Sequence, residues 1–146
     1  MVLVERFLKL LNKYKINFFT GVPDSVLKNL NKHLAKKKDN KHIIATNEGS
    51  AVALAMGYYL NSKKLAAVYF QNSGLSNALN PLISIAHPKV YSIPLILIIG
   101  WRGAPGKQDE PQHMVQGKIT LKILKLLNIK TCILSKDEDL KNLSKL

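Results

Sequence analysis

The sequence feature that most constrains the fold is an unbroken run of six apolar residues, Leu-Ala-Ala-Val-Tyr-Phe, at positions 65–70. A run of this length without alternating polar residues is typical of a strand that is covered on both faces. Four more strand-like segments lie at residues 16–20, 42–45, 93–99 and 129–134. Patterns with helical spacing lie at residues 3–15, 23–37, 49–60, 78–86, 114–127 and 136–145. This alternation predicts an α/β fold with a doubly wound parallel sheet of about five strands and helices on both faces, in a single domain over residues 1–146.

The basic charge of the chain raises the question of a nucleic-acid partner. The formal net charge is +13, but the excess is almost entirely lysine, since only Arg6 and Arg102 are arginines. Proteins that read nucleic acids favour the forked guanidinium of arginine, interleaved with aromatic residues where they bind single strands. We therefore expect no nucleic-acid partner, and a basic surface that instead helps to collect a small anionic substrate.

Several common classes of protein do not fit this sequence. No apolar run, residues 93–100 included, is long enough to cross a bilayer, and Glu5 and Arg6 interrupt any signal-peptide pattern. A cytoplasmic protein with no membrane partner is therefore expected. The single Cys132 forbids an internal disulfide, and the four histidines lack metal-ligand spacing, so we expect no metal site within this chain.

Chemically versatile side chains follow the predicted strands. Glu48 opens an alanine-rich helix after the second strand, Asp24 lies in a turn after the first, and Asn72 follows the third. The long loop 100–113 follows the fourth strand. Because ligands of open α/β sheets bind at the shared carboxyl edge of the strands, the sequence predicts a site there. Each acid also has a purely structural interpretation, since Glu48 can complement a helix dipole and Asp24 can cap a helix.

Six segments together carry a family likeness, in order and over nearly the whole chain. They are Gly-Val-Pro-Asp-Ser (21–25), Ala-Thr-Asn-Glu-Gly (45–49), Gln-Asn-Ser-Gly-Leu (71–75), Asn-Pro-Leu (80–82), Gly-Trp-Arg-Gly (100–103) and Asp-Glu-Pro-Gln-His (109–113). On these motifs the chain resembles the pyrimidine-binding domain of the thiamine-diphosphate-dependent 2-oxoacid decarboxylases, and most specifically the phosphonopyruvate decarboxylases. The alpha subunit of sulfopyruvate decarboxylase is the alternative within this class. A non-catalytic binding or interaction module is the alternative from another class.

The resemblance implies roles for the residues that match the motifs. Glu48 would hydrogen-bond a ring nitrogen of the cofactor's aminopyrimidine, and Asp24 would stand in the substrate pocket and assist a proton transfer. Further cofactor contacts are expected from Asn72, Ser73, Gly74 and Asn77, with Gln71 a weaker candidate. The anionic tail of the substrate needs cationic or N–H partners, for which we expect Arg102, Lys107 and His113. Ser25 is a further candidate for substrate binding.

One part of the family pattern is missing. The diphosphate-binding domain of these enzymes carries a Gly-Asp-Gly sequence followed by asparagines that hold magnesium, and no Gly-Asp-Gly occurs in this sequence. The resemblance therefore implies that a separate diphosphate-binding domain or beta subunit anchors thiamine diphosphate and Mg²⁺, in a homo- or hetero-oligomer. The chain would be an alpha subunit or a piece of a longer decarboxylase, and inactive without that partner.

Overall fold

The structure, a computed structural model, describes residues 2–37 and 41–143. The strands are β1 (Phe18–Gly21), β2 (His42–Ile44), β3 (Ala66–Gln71) and β4 (Ile96–Gly100). The helices are α1 (Val4–Lys13), α2 (Lys28–Leu34), α3 (Glu48–Ser62), α4 (Leu75–Pro81), α5 (Pro111–Leu126) and α6 (Leu140–Leu143). Single tighter or wider helical turns lie at Asn72–Gly74, Leu82–Ala86 and Asp137–Asp139. Within the described ranges, no helix combines the length and apolarity needed to span a membrane.

The strands form one parallel sheet in the order β2-β1-β3-β4. The inner strand β3 pairs with β1 on one side and with β4 on the other, so that Val68 lies opposite both Thr20 and Leu97. Residues 66–70 are all buried, as the apolar run predicts for a strand covered on both faces. The α/β class, the parallel sheet and the single domain are thus confirmed.

Alternate residues of the inner strands supply two hydrophobic cores, one on each face of the sheet. On the first face Val68 and Phe70 pack with buried residues of α3 and α4. On the second face Ala67 and Tyr69 pack with buried residues of α1 and α2. The helix beginning at Glu48 therefore belongs to one face of the sheet, and the helix that follows Asp24 belongs to the other.

The fifth predicted strand is absent, because residues 129–134 make no strand pairing. Their apolar side chains are nevertheless used: Ile129 packs against the first core and Leu134 against the second. The hydroxyl of Thr131 donates a local hydrogen bond to the carbonyl of Ile129 at 3.0 Å. Packing therefore covers Ile129 and Leu134 but leaves Ile133 51% exposed, and a strand also requires a partner for its backbone.

The helix predicted over 23–37 is shorter than expected. Residues 22–27 form a turn around Asp24, and α2 begins only at Lys28. The described part of the last helix is Leu140–Leu143, and the final part of the predicted 136–145 segment lies outside the described residues. The shortening at Asp24 matters most, because it leaves this acid in a turn at the edge of the sheet.

Candidate active site

Since the four strands are parallel, the turns that follow them lie along one edge of the sheet. These turns carry most of the side chains selected from the sequence. The structure divides them into two groups, one around Glu48 and one around Asp24 and Arg102.

Two contacts fix the position of Glu48, one from the residue that caps its helix and one from α4. Asn47 caps α3, since its side-chain oxygen accepts the Ser50 N–H at 2.8 Å, which places Glu48 in the first turn. The Asn77 side-chain amide, on α4, donates to Glu48 Oε2 at 2.8 Å. The other carboxylate oxygen, Oε1, accepts no hydrogen bond from the described residues and remains available to a ligand.

Two glycines allow this arrangement. A Cβ built on Gly49 would lie 2.9 Å from the carbonyl oxygen of Asn77, so the first turns of α3 and α4 can approach closely only with glycine there. A Cβ on Gly74 would lie 2.5 Å from Glu48 Oε1 and overlap the rest of its carboxyl arm. The Glu48 carboxylate therefore rests over a glycine, and its position depends on the absence of that side chain.

Asp24 has two carboxylate oxygens in different surroundings. Oδ2 accepts the Leu27 N–H at 3.2 Å, a bond within the turn before α2; Asp24 does not cap that helix, whose N-cap residue is Leu27. Oδ1 is buried and has no hydrogen-bond partner in the described part of the chain. Burial raises the pKa of this carboxyl above its ordinary value, against the opposing effects of backbone N–H groups and Arg102. Gly100 makes room for it, since a Cβ there would overlap Oδ2.

Replacing Asp24 with asparagine is expected to raise the free energy of unfolding at pH 7 by no more than about 1 kcal/mol, because the carboxyl is half-buried and solvent screens part of its charge. The pKa is higher in the folded chain than the unfolded value of 3.8, so ionisation opposes folding. The cost of ionising Asp24 in the folded chain appears as the pH rises through the unfolded pKa and is complete above the folded pKa. The stability gained by Asp24→Asn should therefore shrink at acid pH. Urea unfolding of the variant and of the unaltered chain at pH 7 and pH 4 measures this difference in stability.

Asp139 provides a control of opposite sign. Backbone N–H groups of Lys136 and Ser135 lower its pKa, so Asp139→Asn should lower stability at pH 7 and have less effect at acid pH. A loss of stability in Asp24→Asn at pH 7 would contradict the prediction and show that the bond from the Leu27 N–H to Oδ2 outweighs the cost of the buried charge.

The loop after β4 is closed by an ion pair. Arg102 Nε and Nη2 donate to the two oxygens of Asp109 at 2.7 and 2.5 Å, and this bond holds the pKa of Asp109 well below its usual range. Arg102 Nη1 also donates to the Ser25 hydroxyl at 3.3 Å. The loop base rests on α5, where the Trp101 indole N–H donates to the carbonyl of Gly117 at 3.0 Å.

The structure does not bring the Asn72 side chain to the surface of the site, where the sequence predicts a cofactor contact. Asn72 is 1% exposed. Its amide donates to the Arg102 carbonyl at 3.0 Å and to the Thr120 hydroxyl at 2.9 Å, and its oxygen accepts the Arg102 N–H at 3.0 Å. Asn72 therefore fixes the backbone of Arg102 from inside the fold.

The remaining candidates lie in different surroundings. The Ser73 hydroxyl accepts a bond from the Gln71 amide at 2.6 Å, and both side chains are half-buried. Lys107 is exposed on the loop. His113 lies in the first turn of α5, and its buried Nδ1 has no partner among the described residues. The sequence reasoning missed Asp109, because a pairing seven residues from Arg102 across an irregular loop has no periodic signal.

Comparison with known proteins identifies the family of the chain. The family model of the thiamine pyrophosphate enzyme N-terminal TPP binding domain matches residues 1–130. The chain belongs to this family. The resemblance seen in the six motifs is thereby confirmed at the level of the family.

Relatives within and around the family differ in length from this chain. A phosphonopyruvate decarboxylase of Streptomyces viridochromogenes is 39% identical over 82% of this chain, but the match spans only 29% of that enzyme. The sulfopyruvate decarboxylase subunit alpha of Methanococcus maripaludis is 36% identical over 78% of this chain and 66% of the subunit. The solved benzoylformate decarboxylase of Polynucleobacter necessarius superposes with a TM-score of 0.57 at 28% identity, over 70% of this chain and 19% of that one. The chain thus spans under a third of the phosphonopyruvate decarboxylase and about two thirds of the alpha subunit.

Proposed function

We propose that this chain is the pyrimidine-binding half of a thiamine-diphosphate-dependent decarboxylase that converts phosphonopyruvate to phosphonoacetaldehyde and carbon dioxide. The observation that carries the proposal is the Glu48 carboxylate at the start of α3, held at one oxygen by Asn77 and open at the other. A first-turn acid that only complemented the helix dipole would need neither the amide partner nor the glycine beneath it.

The residues around Glu48 fit the pyrimidine end of the cofactor. Oε1 has no hydrogen-bond partner among the described residues, and the lack of a side chain at Gly74 lets the Glu48 carboxylate lie directly over it. Glu48 would hold a proton shared with a ring nitrogen, while Asn77 keeps the carboxylate in place; Ser73 would line the same side. Bound thiamine diphosphate supplies the carbon nucleophile and the electron sink for the loss of carbon dioxide.

Asp24 is suited to proton transfer on the substrate side. Its raised pKa allows the carboxyl to carry a proton nearer neutral pH than an exposed aspartate does, and one of its oxygens is unpaired. Arg102, Ser25, Lys107 and His113 are the proposed partners of the anionic tail. Asp24→Asn should therefore lower turnover in the assembled enzyme while it raises the stability of the chain.

A second, diphosphate-binding domain completes the proposed enzyme. No Gly-Asp-Gly occurs in this sequence, and the Streptomyces relative is more than three times as long as the matched region. We propose that a partner domain or beta subunit in an oligomer anchors the diphosphate and Mg²⁺. Sulfopyruvate is the second candidate substrate, supported by the match to a sulfopyruvate decarboxylase subunit alpha at 36% identity.

The deciding experiment mixes the chain with its candidate partner, thiamine diphosphate and Mg²⁺, and measures carbon dioxide release from phosphonopyruvate and from sulfopyruvate. Activity that requires both chains supports the proposal, and the preferred acid names the substrate. A confirmed complex that decarboxylates neither acid would refute the proposed activity and favour a non-catalytic binding module.

Gly74→Ala should lower kcat of the assembled enzyme by about ten- to a hundredfold, because the new methyl group displaces the Glu48 carboxylate. The chain itself should lose less than about 1 kcal/mol of stability, since the Glu48 side chain can rotate away. Steady-state kinetics and urea unfolding measure the two effects. Gly57→Ala on α3, the helix that carries Glu48, is the stability control: a Cβ there meets nothing within 4 Å, and the chain should gain about 0.5–1 kcal/mol. Unchanged kcat in Gly74→Ala would contradict the proposed position of Glu48.

A further inference from the structure

The Arg102 guanidinium is fixed along one side and open on the other. Nε and Nη2 donate to Asp109, and Nη1 donates one bond to Ser25. A guanidinium has five N–H donors, so one N–H on each terminal nitrogen has no acceptor among the described residues. The side chain is 27% exposed, and these two groups are therefore accessible to a ligand.

Asp109 is itself held by the backbone. Its Oδ2 also accepts the Gly103 N–H at 3.0 Å, and its Oδ1 accepts the Glu110 N–H at 2.9 Å. The carboxylate therefore receives four hydrogen bonds and is only 14% exposed. An aspartate fixed in this way gives the guanidinium of Arg102 a single orientation.

The backbone at Arg102 is fixed as well. Asn72 binds both its N–H and its carbonyl. Gly103 adopts a φ of +62°, and a Cβ there would overlap the carbonyl of His113, so the loop fits tightly on the first turn of α5. A surface loop that only connects a strand to a helix does not need both the backbone and the side chain of one arginine to be fixed.

The open side of Arg102 lies near the proposed proton-transfer group. Arg102 reaches Ser25, the neighbour of Asp24, and its charge acts on the Asp24 carboxyl. Lys107 lies exposed on the same loop and adds a second cation. Paired N–H donors with a fixed orientation match the oxygens of a phosphonate or sulfonate group.

We propose that Asp109 is a positioning residue, which orients Arg102 so that its two remaining N–H groups bind the tetrahedral anionic tail of the substrate. The inference rests on the proposed function for the identity of that substrate. The anion site itself is testable without the cofactor, the partner or any turnover.

The test uses the two arginines of the chain. Protein labelled with ¹⁵N at arginine Nε should give two Nε–H signals, from Arg6 and Arg102, each absent from its lysine variant. The full chain is titrated with methylphosphonate and, separately, with methanesulfonate, at constant ionic strength set with sodium chloride. Arg102 should shift to saturation, while Arg6, which pairs with Asp137 at the surface, should not. The anion that binds more tightly identifies the preferred tail.

Two variants separate orientation from charge. Asp109→Glu keeps the charge but moves the carboxylate by one methylene, and Asp109→Asn removes the charge in nearly the same shape. If Asp109 orients Arg102, both should weaken anion binding, by about tenfold or more. If Asp109 only neutralises Arg102, Asp109→Asn should bind the anion more tightly and Asp109→Glu should bind it as before, which would overturn the inference. If the Arg102 signal of the unaltered chain shifts with neither anion, the inference is also overturned, even if neither variant folds.

In the assembled enzyme, Asp109→Glu should raise KM by about tenfold or more and leave kcat within about threefold, since tail binding is lost without a change at the reacting atoms. A fall in kcat at unchanged KM would contradict the positioning role. Anion binding at Arg102 in a complex without decarboxylase activity would instead retain the site and refute the proposed function.

Discussion

Glu48→Gln should lower kcat of the assembled decarboxylase by at least about a hundredfold, because an amide cannot hold the shared proton that the carboxylate accepts. Gln retains an oxygen for the Asn77 amide, so the fold and the start of α3 should survive. Exchange of the cofactor's acidic thiazolium proton with deuterium should slow by a similar factor. Rapid-quench NMR of the exchange and steady-state carbon dioxide release measure the two effects.

Glu138→Gln is the matched control. Glu138 is exposed in the turn Asp137–Asp139, at the other end of the sequence from the site residues. It should leave both rates unchanged. Decarboxylation within about threefold of normal in Glu48→Gln would remove Glu48 from the mechanism and return it to the role of a first-turn acid.

Asn72→Ala should lower the free energy of unfolding by about 3 kcal/mol, which corresponds to a melting temperature lower by about 6–12 °C for a domain of this size. The substitution leaves the part-buried N–H and carbonyl of Arg102 without their Asn72 partner and removes a buried donor to the Thr120 hydroxyl. Urea unfolding of the full chain, monitored by circular dichroism, gives the loss directly.

Asn29→Ala serves as the comparison, because Asn29 is exposed on α2 and alanine is the better helix former. It should leave stability unchanged or slightly raised. If Asn72→Ala lowered the free energy of unfolding by less than about 1 kcal/mol, Asn72 would not be the side chain that fixes the backbone of Arg102. Its predicted contact with the cofactor would then regain support.

Local signals in the sequence were sufficient for the parts of the fold that depend on neighbouring residues. The apolar run that became β3 needs cover on both faces, and the capping oxygen before Glu48 sets the start of α3. The position of Glu48 in a first turn was therefore predictable. The segment 129–134 was not, because its apolar pattern is satisfied by packing without a strand partner.

Contacts between distant residues set the rest of the site. Asn72 and Asn77 are five positions apart in the same polar segment, 71–77. Asn72 is buried and binds the backbone of Arg102, whereas Asn77 donates to Glu48. Nothing in their residue type distinguishes them, since the difference depends on α3 and α5 packing against that turn. The same holds for Asp109, whose role appears only when the loop closes on Arg102.

The hydrogen bond from Trp101 to α5 has a practical consequence. Trp101 is the sole tryptophan of the chain and immediately precedes Arg102. Fluorescence excited at the red edge of the indole band therefore comes from one position, directly beside the proposed anion site. Loosening of the loop from α5 would break the indole N–H bond and expose the ring to water, and emission would move to longer wavelength. The chain thus carries its own optical probe for the state of this loop, without an attached dye.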